Sequence, residues 1–314
     1  MGSEMCIRDR CKDLSFNLEN SLFPSSRNDN LIIEWNGKKI DFSSKTYIMG
    51  ILNVTPDSFS DGGKFFEPER AVDKAVKMAE EGADIIDIGG ESTRPGAKTV
   101  TVEEELRRVI PVIKGIVKKV EVILSIDTTK AKVAEEALSE GAEIVNDVSA
   151  LRFDPNMASL VAKRMVPVVL MHMRGTPKTM QLNVRYNDLL SEITEFLRER
   201  ISFAEKAGID RKKIIIDPGI GFGKSLERDN FTILRNLEEF RSLGRPLMVG
   251  PSRKAFLGHL LNLPVEDREE ATAGAVAVAV MNGANIVRVH DVKKMKRVVQ
   301  VVEAIKKAEP LYGG

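Results

Sequence analysis

Cysteine is almost missing from this chain. Of 314 residues only Cys6 and Cys11 are thiols, and both lie in the first eleven positions. The remainder has no disulfide framework and no cysteine-based metal site. Long apolar runs are missing too. The best, Ala275 to Met281, falls far short of the roughly 18 residues a membrane span needs. Charge of one sign is not in excess. Forty-seven basic and 46 acidic residues leave a net charge of +1, which argues against a large electrostatic footprint for nucleic acid or membrane. A thiol-poor, charge-balanced body suits a cytoplasmic protein with neither of those partners. Residues 1–30 lack the apolar core of a signal peptide. Met1 to Arg10 reads as a leader foreign to the fold, and Asp13 to Asn30, rich in Ser, Asn and Asp, as a loose arm. Residues 31–314 are expected to form one domain, and a 43% hydrophobic content is enough for a sizeable core.

Leu31 to Phe42 predicts a β-hairpin turning at Asn36-Gly37, a dipeptide suited to a two-residue turn. A regular alternation follows. Short apolar strands are expected at 47–53, 85–88, 122–126, 144–145, 167–171, 214–216, 246–249 and 286–289. Helices are expected from about Pro68, from the capping box Thr101-x-x-Glu104, over 130–140, from Pro155, over 187–207, from about Asp229, over 268–282 and over 292–308. The second helix carries Leu106, Val109, Ile110, Ile113, Ile116 and Val117 at helical spacing, and Pro111 should kink it or remove one hydrogen bond. Eight strand–helix units predict a (β/α)8 TIM barrel with the N-terminal hairpin plugging its bottom. A doubly wound open sheet is the alternative, with fewer parallel strands than are counted here. One form recurs at Gly82-Ala83-Asp84-Ile85-Ile86-Asp87, Gly141-Ala142-Glu143-Ile144-Val145-Asn146 and Gly283-Ala284-Asn285-Ile286-Val287-Arg288. The scaffold repeats while its final polar residue changes, as expected of units arranged around one mouth.

The chemistry gathers where the strands end. In order these ends give Asn53, Thr55, Asp57 and Ser58; Asp87 and Glu91 to Gly96; Asp127; Asn146 and Asp147; His172 and Arg174; Asp217 with the loop Pro218 to Lys224; Ser252, Arg253 and Lys254; and Arg288, His290 and Asp291. Asp127, Asn146 and Asp217 suit the donor–acceptor edge of a heterocycle such as an aminopyrimidinone. Arg94, Lys254, Arg288 and His290 suit an anion. Asn53 with Asp57 suits Mg²⁺ bridging that anion. A planar polar ring carrying a pyrophosphate uses both halves of the set. For any single position the plain alternative is a helix cap, but eight strands ending this way by capping alone is a poor explanation. Gly219-x-Gly221-x-Gly223 does not have dinucleotide-binding spacing. Phe222 between those glycines is a poor core residue and a plausible ring contact. His172 reads equally well as a satisfied buried histidine or as a ligand, His259 as structural or surface, and Lys118-Lys119 and Lys293-Lys294 as solvated faces.

At these residues the chain resembles the bacterial dihydropteroate synthase family over roughly residues 31–310. The resemblance rests on Met49 to Gly63, Asp87 to Gly96, Ser125 to Thr128, Asn146-Asp147, Leu170 to Met173, Asp217 to Lys224, Ser252 to Lys254 and Arg288 to Asp291. It implies a transferase of folate biosynthesis, a sulfonamide target that joins 6-hydroxymethyl-7,8-dihydropterin diphosphate to 4-aminobenzoate. The products are 7,8-dihydropteroate and pyrophosphate, formed through a pterin cation. It also implies Mg²⁺ and a homodimer formed through late barrel helices. By the same resemblance Asp127, Asn146, Asp217 and Lys254 hold the pterin, with Met171 and Arg288 on its faces. Asn53, Arg288 and His290 hold diphosphate, with Asn53 on the metal. Thr93, Arg94, Pro95, Phe222, Ser252 and Lys254 surround the aminobenzoate. Asp127, Lys254, Asn53 and Arg94 are the catalytic set. The loops after the first two strands are expected to be mobile when empty. The alternatives are a methyltetrahydrofolate-dependent methyltransferase, which needs no diphosphate site, and a non-catalytic pterin-binding protein.

Overall fold

The computed structural model describes residues 31–55, 68–93 and 99–308. Strands β1 (Ile32–Trp35) and β2 (Lys38–Asp41) pair antiparallel around Asn36 and Gly37, both at positive φ, 46° and 78°, as a two-residue hairpin turn requires. Eight parallel strands follow: β3 (Tyr47–Asn53), β4 (Ile85–Gly89), β5 (Ile123–Asp127), β6 (Ile144–Asp147), β7 (Val168–Met171), β8 (Ile214–Asp217), β9 (Met248–Val249) and β10 (Ile286–Val289). Their lateral order is β8-β7-β6-β5-β4-β3-β10-β9. The cylinder closes between β8 and β9 through a single parallel bridge, Ile216 to Leu247, with Ile216 N–H donating to Pro246 O at 2.9 Å. This seam carries far less ladder than its neighbours, because β9 is only two residues long.

The helices lie outside: α1 (Pro68–Glu80), α2 (Val102–Lys119), α3 (Ala131–Ser139), α4 (Met157–Arg164), α5 (Leu189–Lys206), α6 (Asp229–Arg235), α7 (Ala255–Leu261), α8 (Glu269–Met281) and α9 (Val292–Lys307). Helix α7 is an extra short turn beyond the eight-unit repeat. The α2 capping box is half formed. Thr101 Oγ1 accepts from Glu104 N at 3.2 Å, while the Glu104 carboxylate takes Arg108 Nε at 2.9 Å. Pro111 stays inside one continuous helix. It sits on the exposed face, where the carbonyl it leaves without a partner is open to water. Val117, expected on the apolar stripe, is 52% exposed.

Alternation along each strand sorts the side chains into two cores. Ile48, Leu52, Ile86, Ile88, Leu124, Ile126, Val145, Leu170, Ile214, Ile216, Val287 and Val289 face the helices. Met49, Ile85, Ile144, Val169, Ile215, Met248 and Ile286 point inward and make an apolar floor. The hairpin lays Ile33, Trp35, Ile40 and Phe42 beneath that floor. Each such burial stabilises by roughly 1.5–3 kcal/mol before ordering entropy. The hairpin therefore plugs the barrel from below.

Candidate active site

Two residues beyond the floor, on the same inward face, the strands become polar. Ile85 leads to Asp87, Ile123 to Ser125, Ile144 to Asn146, Ile215 to Asp217 and Ile286 to Arg288. Two residues further stand Asn53, Asp127, Ser252 and His290 at or just past the strand ends. Strand periodicity thus lifts the chain from hydrocarbon to charge in one step. The resulting cavity is lined by Thr93, Asp127, Asn146, Val148, Met171, Asp217, Ile220, Phe222, Met248, Gly250, Lys254 and Arg288.

Arg288 organises the lower tier. Its Nε donates to Asp87 Oδ2 at 2.6 Å and its Nη2 to Asp127 Oδ2 at 2.7 Å. Asn146 Nδ2 also donates to Asp87 Oδ2, at 2.9 Å. Burial works against the Arg288 charge, but Asp87 and Asp127 more than offset it and hold the guanidinium above its ordinary value. Asn146 Oδ1 and Asp87 Oδ1 have no protein partner despite complete burial, which is costly unless something else fills the place. Burial raises the Asp127 carboxyl to about 7, with Arg288 opposing and Asp87 adding to the rise. Burial likewise raises Asp217 to about 6, against the Gly219 N–H that Asp217 Oδ1 accepts at 2.7 Å. Acidic acceptors held near neutrality in a cavity are a frequent mark of a functional site.

The two walls differ. On one, Phe222 packs on Val148, Met171, Met173 and Met180, with Lys254 Nζ 4.2 Å from its ring centre. On the other, Ser252 Oγ lies 2.9 Å from His290 Nδ1 and accepts from His290 N at 3.2 Å. Burial, then Arg253 and Arg288, draws His290 down to about 3, so the imidazole is neutral. Arg253, between Ser252 and Lys254, has φ 55°. That left-handed turn is fixed from three sides: Arg253 N donates to Thr272 Oγ1 (3.0 Å), its Nε to Glu269 Oε2 (2.9 Å), and its carbonyl accepts from Arg268 (3.1 Å). Strain held this firmly aims the flanking Ser252 and Lys254.

Of the residues expected in the site, Asp127, Asn146, Asp217, Lys254, Met171, Arg288, Thr93 and Phe222 line one cavity. Ser252 and His290 pair beside it, and Asn53 ends β3 next to Gly89. Arg94, Pro95, Asp57 and Ser58 lie outside the described residues, as do positions 56–67 and 94–98 of the two loops expected to move. Asp147 and Asp291 follow the plain reading. The first binds Ser149 and Leu151 N–H groups, and the second caps α9 through Lys294 N. His172 is buried and satisfied. His259 is exposed, its Nε2 3.5 Å from Glu227. Sequence reasoning missed a clasp behind Thr93. Lys130 joins Glu91 and the fully buried Glu105, Glu91 Oε1 accepts from Val100 N (2.9 Å), and Arg108 donates to Gly90 O (2.8 Å). Helical spacing from Val109 and Val112 puts Glu105 on the buried face of α2, the signal that could have found it.

Comparison with known proteins agrees with this geometry. A family model described as pterin binding enzyme matches residues 49–290. The dihydropteroate synthase of Synechocystis sp. is 47% identical over 266 residues, 84% of this chain and 92% of that one. The Yersinia pestis dihydropteroate synthase, solved in a sulfonamide drug complex, superposes with a TM-score of 0.84 at 44% identity, covering 88% of this chain and 100% of that one. The Xanthomonas albilineans dihydropteroate synthase with 4-aminobenzoic acid gives 0.83 at 45% identity, covering 89% and 99%. The fold, the mouth and these likenesses agree, and the chain belongs to the dihydropteroate synthase family of pterin-binding enzymes.

Proposed function

We propose that this chain condenses 6-hydroxymethyl-7,8-dihydropterin diphosphate with 4-aminobenzoate, yielding 7,8-dihydropteroate and pyrophosphate. The observation that carries the reading is the cluster Asp127, Asn146, Asp217 and Arg288 in one cavity, where the buried Asn146 Oδ1 stands without a protein partner. Two carboxylates accept the N–H groups of the pterin edge, Asn146 both donates and accepts, and Lys254 donates. Met171 and Arg288 lie against the ring faces. Diphosphate projects toward Asn53, Arg288 and His290. With Ser252 donating to Nδ1, neutral His290 presents Nε2–H to that anion. The aminobenzoate takes the wall of Thr93, Phe222, Ser252 and Lys254, joined by Arg94 and Pro95. Sulfonamide binding belongs to the same pocket in this reading.

The methylene C–O bond breaks with its electron pair leaving on diphosphate. Negative charge at Asp127 and Asp217 stabilises the cation delocalised over the ring. The amine then forms the C–N bond and releases one proton. Packed Phe222, Met171 and Val148 exclude water from the cation. Mg²⁺ suits the donor set in a limited way. Among the described residues no group of three His, Cys, Asp or Glu forms a metal cage, whereas a single amide oxygen at Asn53 matches an ion bound mainly by phosphate and water. Asn53 would hold Mg²⁺ there, and the ion would neutralise charge on the leaving group.

A homodimer belongs to this reading as well. Helix α8 buries Ala275, Val276, Ala279 and Val280 yet leaves Val278 and Met281 each 45% exposed, beside exposed Val301 and Ile305 of α9. Apolar residues on both faces suit a helix covered from both sides. Among the described residues no helix is long and apolar enough to cross a membrane, and the reading places the enzyme in the cytoplasm.

The test is Mg²⁺-dependent pyrophosphate release with and without 4-aminobenzoate, in wild type and Asp127→Ala. Dihydropteroate formation that needs Mg²⁺, is stopped by chelator and falls about 10²–10³-fold in the variant is expected for loss of one preorganised charge. Pterin binding with no product would refute the synthase reading.

A further inference from the structure

Lys224 is fully buried, and it does not line the cavity. A buried ammonium ordinarily meets a carboxylate, but this one meets main-chain oxygen. Lys224 Nζ donates to Pro218 O at 2.8 Å and Phe222 O at 3.0 Å, reaches His172 O at 3.4 Å, and lies 2.7 Å from His172 Nδ1. Burial, reinforced by Lys224, draws His172 down to about 2, so the imidazole is neutral, and burial draws the Lys224 amine down to about 7.

Two of these acceptors belong to the loop that Lys224 itself ends. The loop is curled around its own lysine Nζ through Gly219, Gly221 and Gly223, all at positive φ. A Cβ on Gly219 would lie 1.9 Å from His172 O, so the loop rests directly on the backbone leaving β7. Three more of its carbonyls are taken too. Gly219 O accepts from Phe222 N (3.1 Å), Gly221 O from Gln181 Nε2 (3.1 Å) and Gly223 O from Tyr186 Oη (2.7 Å). Every bond in this set converges on the placement of Phe222. Its ring is half-buried, facing the methionine cluster on one side and Lys254 on the other.

We propose that Lys224 is a positioning residue for the aromatic-acid subsite: clamped between His172 and the carbonyls of Pro218 and Phe222, it holds the Phe222 ring where that ring forms the aminobenzoate wall. The proposal rests on the synthase reading given above. A lysine serving stability alone would leave the relative affinities for the two substrates unchanged.

Lys224→Met keeps the stem and removes the donors. Calorimetry gives the Kd for dihydropterin diphosphate, and steady-state kinetics give kcat and the aminobenzoate KM. The aminobenzoate KM is expected to rise at least about tenfold, the effect of one lost buried constraint. The pterin Kd should rise clearly less than the aminobenzoate KM, because Asp127, Asn146 and Arg288 are held by other elements and only Asp217 feels Lys224. Tyr186→Phe deletes only the hydroxyl on Gly223 O and is expected to raise the same KM about threefold. A folded Lys224→Met enzyme with an unaltered aminobenzoate KM, or with both substrates weakened alike, overturns the proposal. If Lys224→Met does not fold, Tyr186→Phe decides, and an unchanged KM there overturns it. A wild type that forms no product would overturn the synthase reading and this proposal together, whereas the variant outcomes above refute the clamp alone.

Discussion

Asp217→Asn should make the protein more stable and worse at binding. Asp217 is 4% exposed, and burial lifts its carboxyl from the ordinary 3.8 to about 6. At about 1.36 kcal/mol per pKa unit, the ionised native state bears a cost on the order of 3 kcal/mol. Below about pH 4 the group is protonated in both folded and unfolded chains and there is no cost. Between about 4 and 6 the unfolded chain has released its proton while the native protein still holds one, so stability falls as pH rises. Above about 6 the full cost is in place. Asparagine keeps the size and the Oδ1 that accepts from Gly219 N, and it removes the charge. Urea unfolding should therefore show the variant more stable by about 1–3 kcal/mol at pH 8, allowing for a weaker neutral bond to Gly219, with the difference fading toward pH 4. Binding moves the other way. Replacing Oδ2 by an amide donor loses a charge-assisted hydrogen bond, about 1.5–3 kcal/mol, or a pterin Kd about 10–150-fold weaker by calorimetry. A variant less stable than wild type at pH 8, or one that binds pterin with undiminished affinity, would refute this account of a carboxylate kept for its ligand at the expense of the fold.

Arg288→Met should strand Asp87 and Asp127 in the barrel. Loss of about 3–5 kcal/mol is expected at pH 8, with a smaller loss at pH 5, where protonation relieves Asp127; denaturant curves at the two pH values decide this. Gly219→Ala places a methyl group against His172 O in a backbone conformation unfavourable to alanine. Its melting temperature and its aminobenzoate turnover should both drop, and an unchanged enzyme would mean that the loop does not rest on the β7 exit as described.

Much of this fold was legible because parallel strands buried on both faces leave a plain mark: Gly-Ala, two β-branched residues, then a polar one. That pattern located Asp87, Asn146 and Arg288, and short apolar runs closed by a polar residue located Asp127 and Asp217. Properties set by tertiary contacts left no such mark. Nothing local distinguishes Lys224, wholly buried, from a lysine on a solvated loop. Glu105 sits in a helical first turn, where an acid is favourable beside the helix dipole, and only the packed barrel shows it paired with Lys130. Val117 has the right spacing for the α2 stripe but lies near its edge and end. The left-handed Arg253 is imposed by Glu269, Thr272 and Arg268, residues 15 to 19 positions away. Pro111 was legible as an irregularity, but whether it bent α2 depended on which face it occupied.

The barrel is shut between β8 and β9 by little more than one backbone contact, and the two sides of that seam carry different halves of the site. Asp217 ends β8, while Ser252 and Lys254 follow β9. A ring bound between Asp217 and Lys254 therefore acts as a rivet across the least-laced joint of the cylinder. Part of the affinity for such a ligand is the work of keeping a wall closed. Amide exchange at Ile216, whose N–H crosses the seam to Pro246, would register its arrival more strongly than exchange at any strand on the opposite side, where a full ladder already does that work.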